Sequence, residues 1–128
     1  MKPLTREWVE KAEGDFTTAS REMRARKSPN YDAACFHSRQ CAEKYLKAIL
    51  QEAAIPFGKT HHLISLLELV VTVEPAFEIL RLQIQSLNTY SVSVRYPGES
   101  ADRAMAREAL RIAKTLRAQF RQKLGLDS

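Results

Sequence analysis

Apolar residues recur along this chain at steps of three and four, and charged residues fill the positions between them. Trp8, Ala12, Phe16, Ala19 and Met23 mark one buried face of a first helix, predicted from about Thr5 to Lys27. Thr5 is placed to cap its start, and Arg24, Arg26 and Lys27 suit the negative end of its dipole. Ser28-Pro29-Asn30 breaks the pattern. A second helix, from about Tyr31 to Ala53, is the most apolar: Ala34, Ser38, Cys41, Ala42, Tyr45, Leu46, Ala48 and Ile49 cover well over a third of its wheel. So wide an arc predicts a helix with several neighbours. Its other side carries His37, Gln40, Lys44, Lys47 and Gln51 as a polar stripe, with Phe36 among them as a candidate for burial against a partner.

After the loop Ile55-Pro56-Phe57-Gly58-Lys59, Thr60 is expected to cap a short third helix facing inward through Leu63, Leu66, Leu67 and Val70. Pro75 suits the first turn of a fourth, with Phe77, Leu80, Ile84 and Leu87 as its stripe. That helix is expected to end between Tyr90 and Val94, because Pro97 disfavours helical geometry at Tyr96 and Gly98 follows. A last helix is predicted from about Ala101 to Leu124, with Gly125 ending it. Short connections between five helices predict an all-α fold, an antiparallel up-and-down bundle of four to five helices forming one domain over residues 1–128.

Composition agrees. A chain of 128 residues, 45% hydrophobic with four glycines and five prolines, suits one core and few long elements. Cys35 and Cys41, six apart on one helix, lie about 240° apart around the axis and cannot bridge each other, which fits a reducing compartment. No segment has the pattern of a signal peptide, and no apolar run approaches the roughly 20 residues of a membrane span. A soluble, cytoplasmic protein is expected, with no membrane partner.

Charge narrows the partners. Twenty Lys and Arg against 15 Asp and Glu, with a pI near 9.4, favour phosphate, nucleotide or an acidic protein. Arg103, Arg107, Arg111, Lys114, Arg117 and Arg121 fall within about 120° of the last helix's surface. They read either as a solvated outer face or as a ridge facing phosphate or an acidic partner. Leu110 at the edge of the ridge shifts the second reading towards protein. Lys59-Thr60-His61-His62 lies where the third helix begins, and its unpaired backbone N–H groups with Lys59 and His61 would attract an anion. No metal ligation is expected there: adjacent histidines point apart, and no carboxylate or thiol is spaced to join them. Gly-rich phosphate loops and paired-carboxylate signatures are absent, and no cofactor is implied.

YSVSVRYPGES, residues 90–100, admits two readings. In one, Tyr90 packs on the bundle, Pro97 and Gly98 stop the helix, and Arg95 caps its carbonyls. In the other, Arg95 offers a bidentate fork to phosphate while Tyr90 and Tyr96 present flat faces or hydroxyls to a ligand, with Lys44 and Lys47 flanking from the second helix.

FHSRQCAEKYLKAIL, residues 36–50, resembles the central motif of the HEPN family of small helical nucleotide-associated domains. The family pattern of an aromatic followed by Gln-x-Ala-Glu-Lys-x-Leu-Lys-Ala is matched by Gln40, Ala42, Glu43, Lys44, Leu46, Lys47 and Ala48. KTHHLISLL, residues 59–67, is similar to the family's Thr-His-x-Leu-x-x-Leu-Leu. Arg95-Tyr96-Pro97 and the opening Trp8, Ala12 and Asp15 match in the same order. The resemblance covers nearly the whole chain. It implies a bundle of four or five helices, a homodimer, and a minimal nucleotidyltransferase as protein partner, in some cases as a toxin–antitoxin pair. It also implies, as the alternative, a metal-independent ribonuclease whose signature is an Arg, then four to six intervening residues, then a His. Here Ser100, Ala101 and Asp102 stand where that His belongs, and the three histidines all lie upstream at 37, 61 and 62. The expectation is therefore a nucleotide- or RNA-associated binding module, and the resemblance tips residues 90–100 towards a site.

Overall fold

A computed structural model describes residues 1–90 and 97–127. Its long helices are α1 (Pro3–Arg24), α2 (Tyr31–Glu52) and α5 (Arg103–Lys123). Between them lie α3 (Leu63–Val70), a 3₁₀ helix (Pro75–Leu80) and α4 (Arg81–Asn88). Among the described residues there is no strand, and the fold is the all-α bundle that the periodicity predicts.

α2 is the axis of the molecule. Every residue of its predicted apolar arc is buried, and Cys35, Leu50, Arg39, Glu43 and Lys47 are buried with them. Alanines let α1 approach closely: Ala12 and Ala19 meet a helix whose own contacts include Ala34, Ala42 and Ala48, all essentially inaccessible. The two helices run antiparallel, since the Lys2 backbone N–H donates to Glu52 Oε1 (3.0 Å) at one end and the Asn30 N–H to Glu22 Oε1 (2.9 Å) at the other. α5 covers a second side of α2 with Ala106, Ala109, Ile112, Ala113, Leu116 and Phe120. Phe77 of the 3₁₀ helix closes edge-on against Phe120, with ring centroids 5.4 Å apart.

Helix ends depart from expectation in instructive ways. Thr5 does not cap α1; the helix begins at Pro3, which needs no N–H partner at that position, and Thr5 is buried inside the first turn. His62, not Thr60, caps α3, its Nδ1 accepting from the Ser65 N–H at 3.2 Å, while Thr60 Oγ1 accepts from the His62 N–H. Asp102 caps α5 by accepting from the Met105 N–H at 2.8 Å. The predicted fourth helix is split. A 3₁₀ turn places residues three apart on the same line, so Phe77 and Leu80 both face the core before α4 adds Ile84 and Leu87. Gly125, at φ 76°, ends α5 as predicted: the Leu126 N–H reaches Arg121 O and the Gly125 N–H reaches Gln122 O. α2 ends in the same motif with Ala54 at φ 58° in the glycine position.

The link between α2 and α3 positions the site. Instead of leading straight on, residues 53–62 climb back along α2: Phe57 comes to lie 6.0 Å from the Lys47 ammonium, and the His61 carbonyl accepts from Arg39.

Candidate functional site

Arg39, Glu43, Lys47 and Gln51 stand four residues apart on α2 and therefore form one line along the helix. Helical spacing gives Glu43 a cation one turn before it and another one turn after. Its Oε1 accepts from Arg39 Nη1 at 2.8 Å, and its Oε2 accepts from Lys47 Nζ at 3.1 Å. All three side chains are at most 5% exposed. A buried charge survives only with such partners.

The climbing link adds a fourth group. His61 Nδ1 lies 2.9 Å from Glu43 Oε2, although the imidazole itself is 73% exposed. Burial alone would push the Glu43 carboxyl up, but hydrogen bonds from His61, Arg39 and Lys47 prevail and hold it below the usual carboxylate range. An ionised Glu43 makes Nδ1 the donor, which leaves the other ring nitrogen, Nε2, outside this contact on a largely exposed ring. An exposed base whose tautomer is set by a buried carboxylate is the arrangement that proton-transfer sites use.

Asn88, the last residue of α4, joins the same cluster. Its Oδ1 is 3.5 Å from Arg39 Nη2 and accepts from the Leu63 N–H at 3.4 Å. The end of α4 is thereby fastened to α2 and α3 beside His61. Two residues further on, Tyr90 donates its N–H to Leu87 O at 3.0 Å and packs half-buried against the core.

The residues singled out in the sequence meet different fates. His61 stands at the centre of the cluster, and Lys59 is exposed in the turn before it. Lys47 is close by but turned inward: its ammonium pairs with Glu43 and stands 5.3 Å from the Trp8 ring centroid. Lys44 belongs to a separate group, donating to Asp15 Oδ2 at 2.6 Å while His37 Nδ1 meets Asp15 Oδ1 at 2.6 Å. Neither lysine is presented as an open cation. The polar stripe of α2 is thus mostly a seam against α1 and the climbing link. Arg95 and Tyr96 lie outside the described residues.

The basic ridge of α5 divides likewise. Arg117 makes a two-pronged pair with Glu13, both contacts at 2.7 Å, and its guanidinium lies 4.8 Å from the Phe16 ring centroid. Arg121 Nη1 approaches the Tyr45 hydroxyl at 3.1 Å, and that hydroxyl donates to Glu13. Burial raises the Glu13 carboxyl, yet Arg117 and Tyr45 bring it below its ordinary value. This part of the ridge ties α1, α2 and α5 together. Arg111 pairs with Glu108 on its own helix, and Arg103, Arg107 and Lys114 are exposed.

Arg39, Glu43 and Asn88 are the cluster members absent from the candidate site residues of the sequence, Glu43 having entered only as a position of the family motif. Opposite charges at four-residue steps on a helix otherwise apolar were the available signal for Arg39; nothing local marks Asn88. Among the described residues no group of His, Cys, Asp and Glu is arranged to hold a metal ion, and no helix is long and apolar enough to cross a membrane. The family model described as the HEPN domain matches residues 5–123. No curated protein and no solved structure matches the chain.

Proposed function

The chain belongs to the HEPN domain family, a nucleotide- and RNA-associated class, and from that premise we propose that it is the nucleotide-associated partner subunit of a minimal nucleotidyltransferase in a toxin–antitoxin-like pair. It acts as a cytoplasmic homodimer and engages a phosphate-bearing ligand. The observation that carries the reading is the exposed His61 anchored on buried Glu43, with Asn88 fastening the end of α4 beside it. Seven residues after Asn88 comes Arg95, whose guanidinium would supply the bidentate phosphate contact. The basic balance of the whole chain supports the same class of ligand. Ile79 and Leu82, 85% and 78% exposed on neighbouring turns, supply apolar surface for a second copy.

One observation favours a second reading, a metal-independent ribonuclease. The histidine missing after Arg95 has a substitute in His61, whose Nε2 could take a proton from a ribose hydroxyl. A single preparation separates the two. The full-length protein is titrated with short single-stranded RNA by calorimetry and assayed for cleavage in chelator. Saturable binding that weakens in His61→Ala, with intact RNA, is expected for the binding module. Cleavage lost in His61→Ala and kept in His62→Ala would establish the ribonuclease. Recovery of a nucleotidyltransferase with the tagged protein from its native cell tests the partnership. No RNA binding, no cleavage and no such partner would refute both readings.

A further inference from the structure

A groove of about 300 Å³ opens between the start of α1 and the climbing link. Trp8 and Phe57 wall it, edge to face with ring centroids 6.0 Å apart. Leu4, 55% exposed, forms an apolar margin, and Glu7, Lys11 and Gln51 bring hydrogen-bonding groups to the rim. The Lys47 ammonium stands over both rings from within the bundle and does not line the groove. The outer faces of the rings are therefore available to a ligand.

We propose that this groove is a base-stacking subsite that takes the ring of a nucleoside monophosphate, with Lys11 at the rim beside the phosphate. The inference rests on the nucleotide-associated reading above and names where the base sits. Two observations carry it. Its volume is at the lower end for small-molecule sites, enough for one heterocycle with its sugar. Two aromatic walls bind any base through its π face, and a carboxylate, an ammonium and an amide at the rim match a base's donor and acceptor edge.

Trp8 is the single tryptophan of the chain and walls the groove, so its fluorescence reports on an occupant there. AMP, adenosine and ribose 5-phosphate are titrated into the full-length protein, with calorimetry in parallel. AMP is expected to quench Trp8 saturably, adenosine to do so more weakly, and ribose 5-phosphate to leave the emission unchanged. Phe57→Ala is expected to weaken AMP about tenfold, as the loss of one stacking face does. Lys11→Glu, at an exposed position that does not threaten folding, is expected to weaken it as well. AMP binding by calorimetry that His61→Ala weakens, with Trp8 emission and both groove variants unaffected, would overturn the subsite and leave the nucleotide-associated reading standing. No heat with AMP and none with RNA would overturn both. An apolar peptide that quenches Trp8 where AMP does not would assign the groove to a protein partner and refute the proposal.

Discussion

Replacing Glu43 by glutamine removes one negative charge from beside two buried cations and keeps the side chain's shape. In the native protein the carboxylate accepts from Arg39, Lys47 and His61, and Arg39 has only 1% of its side chain exposed. Glutamine offers one acceptor oxygen where the carboxylate offers two, so at least one cation is left with an uncompensated charge. Breaking a buried pair from one side costs about 3–5 kcal/mol, and the retained oxygen places Glu43→Gln near about 3 kcal/mol. With a urea slope of about 2 kcal/mol/M, the midpoint should fall by about 1.5 M. The pH dependence gives an independent check. The Glu43 carboxyl lies below its ordinary value in the folded protein, so its stabilisation is complete above the unfolded-state pKa of about 4.3. It is lost as pH falls through the lower folded value. The gap between wild type and Glu43→Gln should therefore be widest near neutral pH and narrow in acid, where Glu43 too becomes neutral. Urea melts followed by circular dichroism at several pH values measure both. A loss under about 1 kcal/mol, with parallel pH profiles, would refute the buried cluster.

Four further outcomes are expected. Ala54→Gly should raise stability by about 0.5–1 kcal/mol, since a left-handed backbone at φ 58° strains alanine and not glycine; an unchanged urea midpoint would count against the helix-end geometry. Cys35 and Cys41 are each 1% exposed and burial pushes the Cys41 thiol up, so iodoacetamide should label neither until the chain is unfolded, as mass spectrometry would reveal. Arg95→Ala should weaken RNA binding with a stability change within about 0.5 kcal/mol; a large fall in melting temperature with binding intact would make Arg95 structural. Ile79→Asp combined with Leu82→Asp should abolish the proposed dimer and leave a folded monomer in sedimentation, because both side chains are largely exposed in the single chain; a wild-type protein that is itself monomeric would refute the dimer.

The helices and most of their inward faces were legible in the sequence, although on α1 only Ala12 and Ala19 of the expected stripe are buried while Trp8, Phe16 and Met23 are half-buried. Phe77, Leu80, Ile84 and Leu87, the eight positions of the α2 arc, and the line from Ala109 to Phe120 are buried as their spacing predicts. Helical periodicity is a property of neighbours three and four residues apart, and burial of an apolar face follows it whatever the partner. Chain termination was legible where one residue carries the geometry, as at Gly125, and less so at starts, where Lys2-Pro3, His62 and Asp102 displaced or sharpened the expected caps.

The meaning of the charged residues was decided by tertiary structure. Lys44 and Lys47 share a stripe on the wheel, but whether a lysine meets solvent or a carboxylate depends on what packs over it, and here α1 and residues 53–62 do. Arg117 and Arg121 belong by spacing to a basic ridge, yet Glu13, more than a hundred residues earlier, claims them. His61 is one of two adjacent histidines with nothing local to tell them apart: one caps α3 and the other rests on Glu43, 18 residues back. Periodicity records which side of a helix faces inward. The partners of Lys44, Arg117 and His61 are set by contacts between segments far apart in the chain: α1 brings Asp15 and Glu13 to the first two, and the climbing link brings His61 back to Glu43.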